Sequence, residues 1–482
     1  MALGSLCSGA HSLFPLSVRQ RRRVLVADLV STAVFPLAIT GATAAVPDVT
    51  AQLPGGAALG PWLVLAYNGL FAAALLLAGA KADRSARTRF FAVGNLLVAA
   101  TGLLSALAPD LPSLVALRAV GGVGAAMCAA GGSSMVLAVY PPEERRRVYG
   151  YAGAVLGSSL ALGPVVAQAL MAVGGWRLVF VVPGAVAAVA ALAALGLPGL
   201  RDPEPNERFD RAGAVLFGVT VAAAVTALGL GFGSGVPWWG PAVLVLVAAA
   251  CATGLVRVER RACDPAIPVD LLRIPAYRAY AVATGAFMGM LVVGLTVLPQ
   301  LGSAQRIGRS EAAVMLSLLT VPSTVLPLLA ARLARRLARP LVTTALFACT
   351  VTAVVLQVTD RPAALLGAAA VVGLCLGLTE GVPDGQALRY APARRGGAGA
   401  ALFSTTRMSL ETLTLAAANG VMAALGPASG LAVAGAVCLT AALVVRKSVP
   451  SRGDGASVSA GSAGSRTRRG SASPGCARSR GR

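Results

Sequence analysis

Fourteen apolar runs, each close to the length of a membrane span, follow one another between residues 24 and 446 with little chain between them. Their spans are 24–45, 60–80, 88–108, 113–139, 147–173, 176–198, 211–232, 238–257, 277–301, 312–333, 339–358, 362–386, 398–424 and 428–446. A hydrocarbon layer roughly 30 Å thick is crossed by about 20 residues of α-helix. Lipid offers backbone N–H and C=O groups no partner, so a crossing segment must satisfy them internally. Runs this long are helices rather than the alternating ten-residue strands of a membrane barrel. The composition agrees: 56% of the 482 residues are hydrophobic, 12% are charged, and the mean hydropathy is +0.75. The expected fold class is an all-α polytopic membrane protein.

The net charge of +22 raises the question of nucleic acid, which the placement of the bases answers. With loops assigned alternately, one side holds only Arg177, Arg306, Arg309 and Arg361, and two arginines, Arg118 and Arg407, fall within helices. The rest of the 41 Lys and Arg lie on the other side, which the positive-inside rule makes cytoplasmic, together with both termini. No basic module interleaved with aromatics exists, so no nucleic-acid partner is expected. Trp62, Trp176, Trp238 and Trp239 all land at outer helix ends, where an amphipathic ring favours the interface. Eight scattered Cys and a single His, His11, provide no metal-ligand spacing and no histidine relay. Neither metal nor cofactor is expected.

Five regions follow: a basic leader over 1–23, six helices over 24–198, a loop with two linking helices over 199–276, six helices over 277–446, and a Ser/Gly/Arg tail over 447–482. The tail has nothing to bury and reads as disordered.

Three local patterns carry more information. AGAKADRSARTR (78–89) lies between the second and third helices and holds Gly79, Asp83, Arg84, Arg87 and Arg89. ALRAVGGVGAA (116–126) puts Arg118 inside the fourth helix, followed by Gly122 and Gly124. The fifth helix carries Gly153, Gly157 and Ala161 at four-residue spacing, then Gly163 and Pro164. Small residues on one stripe admit a neighbouring backbone, and the proline permits a bend. These patterns resemble the loop signature, the helix-four arginine motif and the antiporter motif of the major facilitator superfamily. With fourteen helices, the chain resembles the drug:proton antiporter branch of that superfamily. AARLARRLARP (330–340) looks like a degraded second copy of the loop signature, as a duplicated bundle would carry. One departure stands out, because the branch carries an acid in the first helix where this chain has Ala38.

Arg407 and Glu411 sit four residues apart in the thirteenth run, on one helix face. Isolated charges at that depth are unfavourable by roughly 2.5–3.5 kcal/mol each, so each must find a partner or water. Glu380 on the twelfth run lies at about the depth of Arg407 and completes a cluster that can hold one proton more or less. A structural ion pair fixing helix register is the rival reading. Asp28, one turn beyond Arg23, reads as an inner-end ion pair.

The resemblance implies a monomeric plasma-membrane exporter of small amphipathic or cationic organic compounds, driven by entering protons. A metabolite exporter or facilitator without proton coupling is an alternative suggested by Ala38. A transport-inactive receptor or scaffold is another. No loop gathers His, Asp, Ser or Cys at catalytic spacing, so an enzyme is not expected.

Overall fold

The computed structural model describes residues 16–201, 211–230, 237–261, 269–359, 361–379, 381–388 and 396–449. Among them there is helix and no strand. The leader before residue 16, the tail beyond 449, most of the 200–211 loop and Glu380 lie outside the described residues.

The first six helices are α1 (Val18–Gln52), α2 (Trp62–Arg84), α3 (Arg87–Ser105), α4 (Leu111–Val139), α5 (Pro142–Gly174) and α6 (Trp176–Leu195). Two follow as a pair, α7 (Arg211–Leu230) and α8 (Trp239–Arg261), then the short α9 (Val269–Leu272). The remainder are α10 (Pro275–Ala304), α11 (Arg309–Val325), α12 (Pro327–Val355), α13 (Pro362–Thr379), α14 (Val382–Leu388), α15 (Gly396–Leu425) and α16 (Pro427–Ser448).

Every expected run meets a helix, but among the described residues twelve helices are long and apolar enough to cross a membrane, or thirteen if the bent α5 is one span. The expected count of fourteen is therefore not reached by this measure. The shortfall lies at α11, whose apolar part is only Val314–Ser323. The tenth run was expected to reach 333, yet α11 ends at Val325, just before Pro327 opens α12. The segment 330–340, read as a loop, lies within α12, which kinks at Leu337 (φ −124°, ψ 23°). The leader also ends sooner than expected: Ser17 caps α1, so Arg19, Arg21, Arg22 and Arg23 form its first turns.

Proline accounts for the bend in α5, where Tyr151–Leu160 and Leu162–Gly174 meet at 49°. Pro164 cannot donate to the Leu160 carbonyl and its ring crowds that oxygen, so the helix breaks between them. Single left-handed glycines then make the tightest helix connections. Gly175 (φ +70°) joins α5 to α6, and Gly426 (φ +89°) joins α15 to α16. A side chain is strained at such φ values, so glycine is required.

The packing pattern repeats along the chain. In the first part α1 packs on α5 and α6, α2 on α4, and α3 on α4 and α6. In the last part α10 packs on α15 and α16, α11 on α13, and α12 on α13 and α16. The two sets meet where α5 touches α11 and α2 touches α15. Helix α7 touches both α2 and α15, with Gly69 of α2 against Val225 and Gly218 of α7 against the Ala73 carbonyl. Close helix contact of this kind supplies the van der Waals attraction that hydrophobicity cannot provide inside lipid.

Trp176 corrects an expectation. It starts α6, as an interfacial tryptophan would, but is 1% exposed and donates its indole N–H to Gln52 Oε1 at 3.0 Å. Its ring serves the helix core, whereas Trp238 and Trp239 are largely exposed at the start of α8.

Candidate functional site

A cavity of about 240 Å³ lies between the two helix sets, walled by α1–α5 on one side and by α10 and α15 on the other. Its apolar surface comes from Phe35, Phe71, Leu156, Met288, Leu291 and Met408 among others. Three charged residues enter it: Asp28 from α1, and Arg407 and Glu411 from α15. The lining residues of α4, 125–133, belong to the half of that helix nearer Val139. The cavity thus occupies the mid-depth and the half nearer the Arg-rich start of α1.

Arg407 and Glu411 share the cavity face, as their spacing predicts. Among the described residues no ion pair within 4 Å joins them. Glu411 is 4% exposed and makes no hydrogen bond among the described residues. A carboxyl held so in hydrocarbon depth is stabilised only by the cavity's contents and by the field of Arg407.

A further acid stands near Arg407. Glu380 lies outside the described residues, but Asp384, four residues on in α14, is within the electrostatic field of Arg407 and accepts a hydrogen bond from Thr284 Oγ1 at 3.3 Å. It does not line the cavity. A polar residue just past a broken helix, after Gly381 (φ +72°), is the signal that could have singled it out.

Asp28 is a second correction. Arg23 does not pair with it and instead reaches the Ala193 carbonyl (3.4 Å). Asp28 turns into the cavity, where Gly132 leaves room for its carboxylate and a Cβ would collide with Oδ1. Ser31 beside it donates to Asn95 Oδ1 at 2.9 Å, and Asn95 Nδ2 donates to the Phe91 carbonyl at 3.0 Å. Asp28, Ser31 and Thr32 recur at helical spacing in an otherwise apolar stretch, which marks a wet face.

Arg118 is held within the helix set. Its Nε donates to the Leu63 carbonyl (2.9 Å) and Nη2 to the Ala38 carbonyl (3.1 Å), and the guanidinium stacks 4.1 Å over the Tyr67 ring. It thus reaches the backbone of α1 at the residue where the antiporter branch has its acid.

The remaining motif residues lie apart from the cavity. Arg87 is buried at the start of α3, its N–H bonded to the Leu200 carbonyl (3.1 Å), and Thr88 Oγ1 donates to the Pro198 carbonyl (3.0 Å). Arg84 ends α2 and Arg89 is exposed on α3, while the Asp83 side chain is outside the described residues. Among the described residues nothing lies within 4 Å of a Cβ placed on Gly79 or Gly153. Gly157 is half-buried on α5, and Gly163, beside Pro164, is tight against the Thr40 side chain of α1.

A polytopic helix assembly built around a central cavity, apolar in lining and charged on both walls, is the architecture of a membrane carrier for small molecules. The chain belongs to the Major Facilitator Superfamily, whose sequence profile matches residues 29–410. It is 33% identical to a puromycin resistance protein of Streptomyces alboniger over 54% of this chain and 49% of the relative. To a probable actinorhodin transporter of Streptomyces coelicolor it is 32% identical, over 53% and 45%. To the multidrug resistance protein Stp of Mycobacterium tuberculosis it is 29% identical, over 53% and 47%. The chain spans about half the length of these curated relatives. Its fold superposes on a crystallised peptide transporter, POT, with a TM-score of 0.65 at 17% identity, covering 89% of this chain and 93% of the other.

Proposed function

We propose that the chain exports small amphipathic, cationic organic compounds across the plasma membrane in exchange for protons, working as a single polypeptide with both termini in the cytoplasm. The observation that carries this reading is the cavity itself, in which Asp28 and Glu411 face a common space from opposite helix sets and make no ion pair among the described residues. Relatives named for antibiotic and drug resistance support the substrate class. The excess of Lys and Arg on one side supports the orientation.

In this mechanism the apolar wall takes the hydrophobic body of the substrate and a carboxylate takes its positive charge. Two acids beside one guanidinium leave a net negative site, so a proton and an organic cation compete for it. The cation entering from the cytoplasmic side displaces the proton, and a proton from outside displaces the cation. Two six-helix units, 24–198 and 277–446, would rock about the cavity, with 199–276 linking them; the repeated packing of α1–α6 and α10–α16 supports this division. The test is efflux of a cationic dye such as ethidium from proteoliposomes under an imposed pH gradient. Transport that follows the gradient in wild type, and is lost in Glu411→Gln with insertion intact, is the expected result.

One observation favours facilitation without proton coupling: α1 presents Ala38, and its backbone carbonyl already engages Arg118. Flux unchanged when the gradient is collapsed would select that mechanism.

A further inference from the structure

Tyr67 has a hydroxyl that its surroundings do not explain. The residue is 1% exposed and stands in the wall of the central cavity and of a smaller one, of about 20 Å³, beside Arg118. Its ring is well held, with the Arg118 guanidinium over one face and Phe35 packed at 6.2 Å. Gly122 brings α4 against the Tyr67 carbonyl, so the backbone position is set as well. A phenylalanine would meet every one of these packing demands. The hydroxyl alone is left over, buried and without a hydrogen-bond partner. Arg118 spends its contacts on the Leu63 and Ala38 carbonyls, not on the phenol oxygen. Thr101 and Ser105, the other hydroxyls in the smaller cavity's wall, donate to carbonyls of their own helix at 2.8 and 2.6 Å. An unpaired buried hydroxyl is destabilising, and one kept at a cavity wall marks a group whose partner arrives from outside.

We infer that the Tyr67 hydroxyl binds the transported molecule, donating a hydrogen bond to an acceptor oxygen on an organic cation. The cation over the ring polarises the phenol toward donation rather than acceptance. This rests on the cavity being the substrate site, and it adds a specificity to that reading: ring-borne carbonyl or ester oxygens are favoured over bare hydrophobic cations. Asp28 and Glu411 take the charge and Tyr67 reads the oxygen.

The test compares Tyr67→Phe with wild type in purified protein. The probes are tetramethylrhodamine ethyl ester, a cation with ester oxygens and no N–H, and tetraphenylphosphonium, a cation with neither. Binding of the rhodamine ester should weaken about tenfold, the size of one lost hydrogen bond of about 1.4 kcal/mol. Binding of tetraphenylphosphonium should change by less than about twofold, within the effect of a surface-neutral change. The ligand-free variant should melt at the same temperature or higher. Equal weakening of both probes, no weakening of the rhodamine ester, or a lower melting point without ligand overturns the inference, the last by showing that a bound water in the smaller cavity already satisfies the hydroxyl. Wild-type protein that binds tetraphenylphosphonium but not the rhodamine ester overturns it too and spares the transport reading. Protein that binds neither overturns both.

Discussion

Arg118 and Arg407 are both guanidinium groups set in apolar helices, and their surroundings are opposite. Arg118 is 6% exposed, bonded to two backbone carbonyls from two other helices and stacked on an aromatic ring. Arg407 lines the cavity, has Asp384 and Glu411 in its field, and makes no ion pair with Glu411 within 4 Å. An arginine cannot shed its charge, so in hydrocarbon it must be neutralised by structure or kept beside water. The first solution ties α4 to α1 and α2 permanently. The second leaves a charge whose balance changes with whatever occupies the cavity. Depth in the membrane therefore does not separate a structural charge from a working one; fixed partners from the protein do.

Breaking the site with fixed partners has the largest expected effect. Arg118→Met removes two charge-assisted bonds and strands both carbonyls, which should destabilise the protein by about 3–5 kcal/mol. The measurement is melting temperature in detergent. Arg118→Lys should recover little, since a lysine cannot span both carbonyls with fixed geometry.

Breaking the cavity site should reverse the pattern. Glu411→Gln and Arg407→Gln should each cut dye efflux by about tenfold or more while stability changes by less than about 1 kcal/mol. A melting-point loss as large as that of Arg118→Met would erase the contrast. A smaller test is Asp384→Asn. It removes the acid behind Arg407 without touching the cavity wall, and efflux should fall about two- to fivefold, the scale of a weak charge interaction.

The smallest effect concerns the start of α4, the helix that carries Arg118. Asp110 caps it, accepting from the Ser113 N–H at 2.8 Å, and these hydrogen bonds hold its carboxyl below the usual range. A folded value below the unfolded one means the cap contributes above the unfolded value near 3.9 and is lost as pH falls through and below it. Acid melting curves of wild type and Asp110→Ala should therefore separate at neutral pH and converge in acid.

Much of this was legible in the sequence, and the misses are instructive. The helices follow from hydrophobic run length, and Arg407 and Glu411 share a cavity face because residues four apart share any helix face. Trp176 was misread because helix-end position does not tell whether a ring faces lipid or protein. Asp28 was read from its sequence neighbour Arg23, yet its surroundings come from Cys128 and Gly132, about one hundred residues away. Asp384 escaped notice because Glu380, one turn earlier, had the same apparent depth. Tyr67 carried no signal, since an unpaired hydroxyl is a property of its neighbours.

Hydrocarbon makes one demand on every residue it touches, so a single chain's run lengths and charge placement were enough to determine a polytopic helical membrane protein and to mark its buried ions. Helices apolar on all sides do not announce which face turns inward. Only the packing of α1–α5 against α10 and α15 decided that Asp28, Tyr67, Arg407 and Glu411 share one cavity while Arg118 is closed off from it. That choice is made by close contacts between helices far apart in the chain, at glycines and kinks whose partners no local pattern names.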